Sequence, residues 1–129
     1  MDFFSKQNAI AVIGFSRDKT KYGYRVFMTL KDKDYEVYPV NPNASEIEGI
    51  RVYPNIGSLP KKADVAIIVT KPEITEKVIG EIIENGTRMV WMQPGSESEK
   101  AIERCRNAGI ECISKSCFIL DGLKTEFII

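Results

Sequence analysis

The sequence predicts an α/β fold of three layers, a mainly parallel five-stranded sheet with helices on both faces. Three observations carry this. Ala9–Ile13, Val65–Val69 and Met89–Met92 are continuously apolar, as strands buried on both faces of a parallel sheet are. Amphipathic stretches alternate with such runs along the chain, and the connections are short, as right-handed crossovers require. The 129 residues are 43% hydrophobic and 28% charged, an ordinary globular composition at the size of one domain spanning 1–129.

Residues 1–8 form a short lead-in, and Ala9–Ile13 is the first strand. Val26, Phe27 and Leu30 have helical spacing and place a helix over Tyr24–Lys31. Tyr35–Val40 is the second strand, with Pro39 marking an edge or a strand end. Asn41-Pro42-Asn43-Ala44 is a turn. Ser45–Pro60 is irregular, with a brief extended piece at Val52-Tyr53 and a helical turn at Ile56–Leu59. After the third strand, Pro72 suits the first position of a helix, where its missing N–H has no partner to lose. Ile74, Val78, Ile79, Ile82 and Ile83 supply that helix's apolar face, and Asn85-Gly86 its C-terminal cap. Met89–Met92 is the fourth strand. Ser96 and Glu99 have the spacing of a capping box, and Ala101, Ile102, Cys105 and Ala108 face inward from the helix that Gly109 stops. Ile110–Ile113 is the fifth strand. Phe118-Ile119-Leu120 and Phe127-Ile128-Ile129 are too apolar for a free tail, and are expected to pack on the body or on a neighbouring subunit.

Composition excludes several function classes. Lys plus Arg and Asp plus Glu both count 18, without the basic excess of a nucleic-acid binder. No apolar run approaches the ~20 residues of a membrane span, and the N-terminus lacks the features of a signal peptide. Cys105, Cys112 and Cys117 are an odd set without metal-ligand spacing, and there is no histidine. A reduced, cytoplasmic protein without a structural metal is expected. Ser-His and Cys-His nucleophiles are excluded, and no catalytic constellation is complete. Trp91, Cys105 and Cys112 read as core residues.

In open parallel sheets, ligands sit beyond the carboxyl ends of the strands. Those ends here are Gly14-Phe15-Ser16, Val40-Asn41-Pro42, Thr70-Lys71-Pro72 and Gln93-Pro94-Gly95. The first is a strand that stops at a glycine before a polar turn and a helix start, a junction whose free N–H groups attract phosphate. A conventional dinucleotide fingerprint is absent: Ser16 stands for the second glycine, the third is missing, and Val40-Asn41-Pro42 replaces the acid that holds ribose. Arg17, Lys19, Lys21 and Arg25 outnumber Asp18 between Gly14 and Val26, which suits a ligand with several phosphates. The alternative is an NAD(P)-binding oxidoreductase or redox-sensing module with a degenerate dinucleotide site.

The stretches IAVIGFS with GYRV after it, YEVYPVNPNASEIEGIRVYPNIGSLP, DVAIIVTKPE, MVWMQPG and AGIECISKSCF resemble, in order, the small stand-alone CoA-binding proteins. Their Rossmann-like domain is similar to the N-terminal domain of the succinyl-CoA synthetase α-subunit. The resemblance implies coenzyme A, or an acyl-CoA, along the strand edge. By position, Gly14, Phe15, Ser16, Tyr24 and Arg25 would hold the diphosphate, and Arg17 and Lys19 the remaining phosphate. Pro39, Val40, Asn41 and Pro42 would border the adenosine. Val69, Thr70, Lys71 and Pro72, with Gln93, Pro94 and Gly95, would line the pantetheine arm. Thr70-Lys71 departs from the hydrophobic-aromatic or Arg-containing segment frequent in the family. Cys117 follows Lys115 and matches a cysteine often found there, so a mixed disulfide with the CoA thiol is an expectation. The synthetase subunit carries a second domain with a phosphorylated histidine, and this chain has no histidine. A binding module without catalysis of its own is therefore expected, with a homodimer or an enzyme as its macromolecular partner.

Overall fold

Ile10 and Val12 belong to one hydrophobic cluster, Ala11 and Ile13 to another, and all four are buried. Side chains alternate across a strand, so β1 (Ala9–Ile13) must be covered on both faces. A computed structural model, describing residues 2–129, shows how. β1 is followed by α1 (Tyr22–Asp32), β2 (Glu36–Val40), β3 (Glu46–Ile47), β4 (Ile50–Arg51), β5 (Val65–Ile68), α2 (Pro72–Asn85), β6 (Met89–Met92), α3 (Glu99–Asn107) and β7 (Glu111–Ser114). Five strands form one parallel sheet in the order β2-β1-β5-β6-β7. This is the Rossmann-like α/β fold, and β2 is an edge, as Pro39 requires.

The two faces are covered differently. On one, Ile79 and Ile82 of α2 and Ala101, Ile102 and Cys105 of α3 pack on Ala66, Ile68, Val90 and Met92. On the other, α1 contributes Tyr24, Val26, Phe27 and Leu30, the β3–β4 region adds Ile47 and Val52, and the chain ends add Phe3, Phe118 and Ile119. Trp91 lies at their centre, with ring centroids 5.4 Å from Phe3, 5.7 Å from Phe4 and 5.0 Å from Phe118. The tail from Ser114 thus packs largely on the body. Phe127 packs against the same cluster, Ile128 N donates to Thr29 Oγ1 at 3.0 Å, and Leu120 stays 47% exposed.

Several local expectations change. α1 begins at Tyr22, two residues earlier than its apolar spacing shows. The irregular stretch contains the β3–β4 hairpin, whose strands are too short for an alternation pattern to register. Ser96 does not cap α3. Its Oγ donates to Gln93 O at 2.7 Å, and Ser98 is the N-cap, accepting from Ala101 N at 3.3 Å. Ala108 is the exposed C-cap residue and not part of the inner face. Ile74 turns away from the core of α2, where Thr75 takes a buried place. No helix of the described residues is long and apolar enough to cross a membrane.

Candidate functional site

The chain leaves β1 for β2 on one side of the sheet and returns to β5 on the other, so the strand order reverses between β1 and β5. Crossovers diverge at such a point and leave a crevice between them. A cleft of about 890 Å³ opens here, within the usual range of small-molecule sites. Gly14, Phe15, Ser16, Lys21, Tyr22 and Gly23 form one wall. Val40–Asn43 and Val69–Lys71 form the floor, and Ile74, Val78, Pro94 and Gly95 are on the far side.

The first wall is built from backbone. Gly14 adopts φ 108°, which disfavours any side chain, and a Cβ there would come within 3.1 Å of the Val69 carbonyl carbon. Gly23 is constrained more strongly. An added Cβ would lie 2.0 Å from Gly14 O, so only glycine lets α1 start directly on the loop. The third glycine of the dinucleotide fingerprint, missing at its usual spacing, thus has a counterpart displaced by the long basic loop. Its signal in the sequence is the Gly23-Tyr24 pair at the helix start. Gly14 N and Phe15 N both donate to Val40 O, at 3.0 and 3.2 Å. Asn41 Nδ2 donates to Phe15 O at 2.7 Å, so Asn41 shapes the loop as well as lining the cleft.

No side chain caps the N-terminus of α1 at Lys21. The first-turn N–H groups of a helix have no intrahelical acceptor, and here they adjoin the cleft wall at Lys21, Tyr22 and Gly23. The helix dipole adds positive potential at the same place. Backbone donors, close glycines and one lysine converge on this wall of the cleft.

Other expected site residues lie elsewhere. Tyr24 is 4% exposed and stacks on Phe15 with ring centroids 5.8 Å apart. Its hydroxyl donates to Glu48 Oε1 at 3.0 Å, and burial, then that hydrogen bond and the carboxylate charge, raise its pKa. Arg25 lies against the tail, its guanidinium 4.4 Å from the Phe127 ring centroid and its Nε donating to Ile129 O at 3.1 Å. Arg17 and Lys19 are exposed on the outer part of the loop, outside the cleft lining. Asp18, beside them, accepts from the Thr20 hydroxyl and N–H, which hold its carboxyl below the usual range.

Pro39 is buried within β2, and Pro72 is the first residue of α2; neither lines the cleft. Gln93 is fully buried and turns its amide into the body: Oε1 accepts from Phe118 N at 2.6 Å and Nε2 donates to Cys117 Sγ at 3.4 Å. Cys117 is 6% exposed and also accepts from Leu120 N at 3.5 Å, so its sulfur is engaged inside the body and does not line the cleft. Among the described residues, no cluster of three His, Cys, Asp or Glu could hold a metal.

A parallel α/β sheet with a crevice at its switch point defines a Rossmann-like domain. The chain belongs to the CoA binding domain family, whose model matches residues 8–122. It is 32% identical over 128 residues to the alpha subunit of acetate–CoA ligase (ADP-forming) II of Pyrococcus furiosus, covering 91% of this chain and 28% of that one. It is 37% identical over 100 residues to acetate–CoA ligase (ADP-forming) II of Archaeoglobus fulgidus, covering 74% and 15%. The chain therefore spans less than a third of either relative. Among solved structures, a conserved hypothetical protein from Pyrococcus furiosus superposes with a TM-score of 0.81 at 39% identity, covering 86% of this chain and 96% of that one. The apo form of the dinucleotide-forming acetyl-coenzyme A synthetase 1 of Candidatus Korarchaeum cryptofilum superposes with a TM-score of 0.74 at 27% identity, covering 88% and 27%.

Proposed function

We propose that this protein binds coenzyme A, or an acyl-CoA, in the cleft between β1 and β5. The observation that carries the reading is the uncapped start of α1, set on Gly14 by the closeness that Gly23 allows. The diphosphate takes the N–H groups of this helix start and that of Ser16, since Gly14 N and Phe15 N are held by Val40 O, with Lys21 as the adjacent cation. Val40, Asn41 and Pro42 border the adenosine. Val69, Thr70 and Lys71, with Pro94 and Gly95 opposite, carry the pantetheine arm. Arg17 and Lys19, on the outer loop, supply charge for the outlying phosphate.

The family supports CoA over NAD, and so does the end of β2. An NAD site wants a carboxylate there for the ribose hydroxyls, and Asn41 instead bonds the phosphate loop. The acetate–CoA ligase relatives are several times longer than the stretch they share with this chain. We read the stretch shared with them as a CoA-binding module that works with chemistry performed by an enzyme partner.

Thermal denaturation with CoA, acetyl-CoA, NAD and ATP tests this. A ligand at 100 times its dissociation constant stabilises by about 2.7 kcal/mol, a rise of several degrees in Tm for a domain of this size. CoA or acetyl-CoA is expected to give that rise and NAD to give little. Stabilisation by NAD and not by CoA overturns the reading.

A further inference from the structure

The β3–β4 hairpin closes through two residues, Glu48 and Gly49, with φ of 51° and 77°. Two successive left-handed residues match the type I′ turn that tight hairpins favour, and asparagine, aspartate or glycine normally opens it. Glutamate in this position carries a backbone penalty. Its side chain, however, is engaged at both oxygens. Oε1 accepts from the Tyr24 hydroxyl at 3.0 Å, and Oε2 lies 3.7 Å from Lys19 Nζ. Tyr24 is fixed in the core by its stack on Phe15, so one carboxylate oxygen is anchored and the other is presented to the basic loop. Lys19 is thereby drawn to the hairpin. Its neighbours Ser16 and Lys21 line the cleft, and Lys19 does not.

We propose that Glu48 is a specificity-determining residue of this cleft: it parks Lys19 on the β3–β4 turn and so opposes ligands that bring an extra phosphate to the outer loop. The proposal rests on the CoA reading above. The Lys19 and Glu48 side chains are 67% and 41% exposed, and pairs so open to water are weak. A ligand phosphate can therefore displace the carboxylate from Lys19. Glu48 does not leave with the exchange, because Tyr24 holds it, and it remains a like charge near the incoming phosphate. Coenzyme A, with its ribose phosphate, meets that opposition, and dephospho-CoA does not.

The test is calorimetric titration of CoA and dephospho-CoA into the wild-type protein and Glu48→Gln at low ionic strength, where surface charge is least screened. Glutamine keeps the length of the side chain and an acceptor for Tyr24. CoA is expected to bind Glu48→Gln about three- to fivefold more tightly, with dephospho-CoA changing less than about twofold. Unchanged or weakened CoA binding, or equal gains for both ligands, overturns the proposal. In a Lys19→Gln background only the like charge of Glu48 remains to be removed, so Glu48→Gln is expected to give a smaller CoA-selective gain, and a gain as large as in the wild type overturns the parking of Lys19. Failure of either ligand to bind the wild type counts against the CoA reading alone. Parking is then read in the free protein, where Glu48→Gln and Lys19→Gln should each speed amide exchange across residues 19–21. Unaltered exchange in both variants overturns it.

Discussion

Tyr38 and Glu36 show how one hydrogen bond on edge strand β2 links charge to stability. The Tyr38 hydroxyl donates to the Glu36 carboxylate, which also accepts from Lys61 Nζ at 3.0 Å. That bond, then burial and the carboxylate charge, pushes the Tyr38 pKa up to about 12 from 10.0. The same bond, and then Lys61, holds Glu36 below its usual 4.5. The signs follow from proton linkage. Between pH 10.0 and about 12 the folded state keeps a proton on Tyr38 that the unfolded chain has lost, so stability falls as pH rises. On the acid side, Glu36 contributes above its unfolded pKa, and the contribution is lost as pH falls through its folded value. Urea unfolding from pH 9 to 12 is expected to show the alkaline loss in the wild type and a shallower one in Tyr38→Phe. Equal slopes would place the linkage elsewhere.

Helix starts in this chain serve two purposes, and their caps separate them. α3 begins at Ser98, whose Oγ accepts from Ala101 N and also donates to Glu76 Oε2 at 2.5 Å, tying α3 to α2. The N-cap residue of α1, Lys21, provides no side-chain cap, and the free donors of the first turn adjoin the cleft. A capped end supports the fold; an uncapped one remains available to a ligand. Ser98→Ala should therefore lower the unfolding free energy by about 1 kcal/mol in urea. Glu99→Ala, at the exposed position that spacing assigns to a capping box, should change it by less than about 0.5 kcal/mol. A larger effect at Glu99 than at Ser98 would reverse the assignment.

Across the whole molecule, the sheet has two helices on one face and one on the other. α1 lies against β1 and β2, and after β7 only a single π-helical turn, Phe118–Gly122, reaches β6 from that side. The chain ends take the place of a second helix. Phe3, Phe4 and Phe118 enclose Trp91, and Gly122 lies so near Phe4 that an added Cβ would be 2.7 Å from the ring. Gln93 clamps the tail by accepting from Phe118 N. Phe118→Ala opens a cavity beside a buried tryptophan and should lower stability by about 3–5 kcal/mol in equilibrium denaturation. A loss below about 1 kcal/mol would show that the tail lies on the sheet without stabilising it.

The sequence by itself determined the sheet and the location of the crevice. Buried parallel strands are apolar without interruption, so β1, β5 and β6 announce themselves, and strand ends in such a sheet are where ligands go. It also placed the α2 start at Pro72 and its end at Gly86, because those residues act through local backbone geometry. Only the tertiary structure decided which side chains face the cleft. Gln93 and Cys117 sit at a strand end and in the tail, yet their polar atoms satisfy each other inside the body. Tyr24 and Arg25 follow the loop after β1 in sequence, but the turn of α1 sends one into the core and the other to the tail. Spacing along a chain reports which residues are near a site. Helix phase, and the partners that buried polar atoms find across the fold, decide which of them reach it.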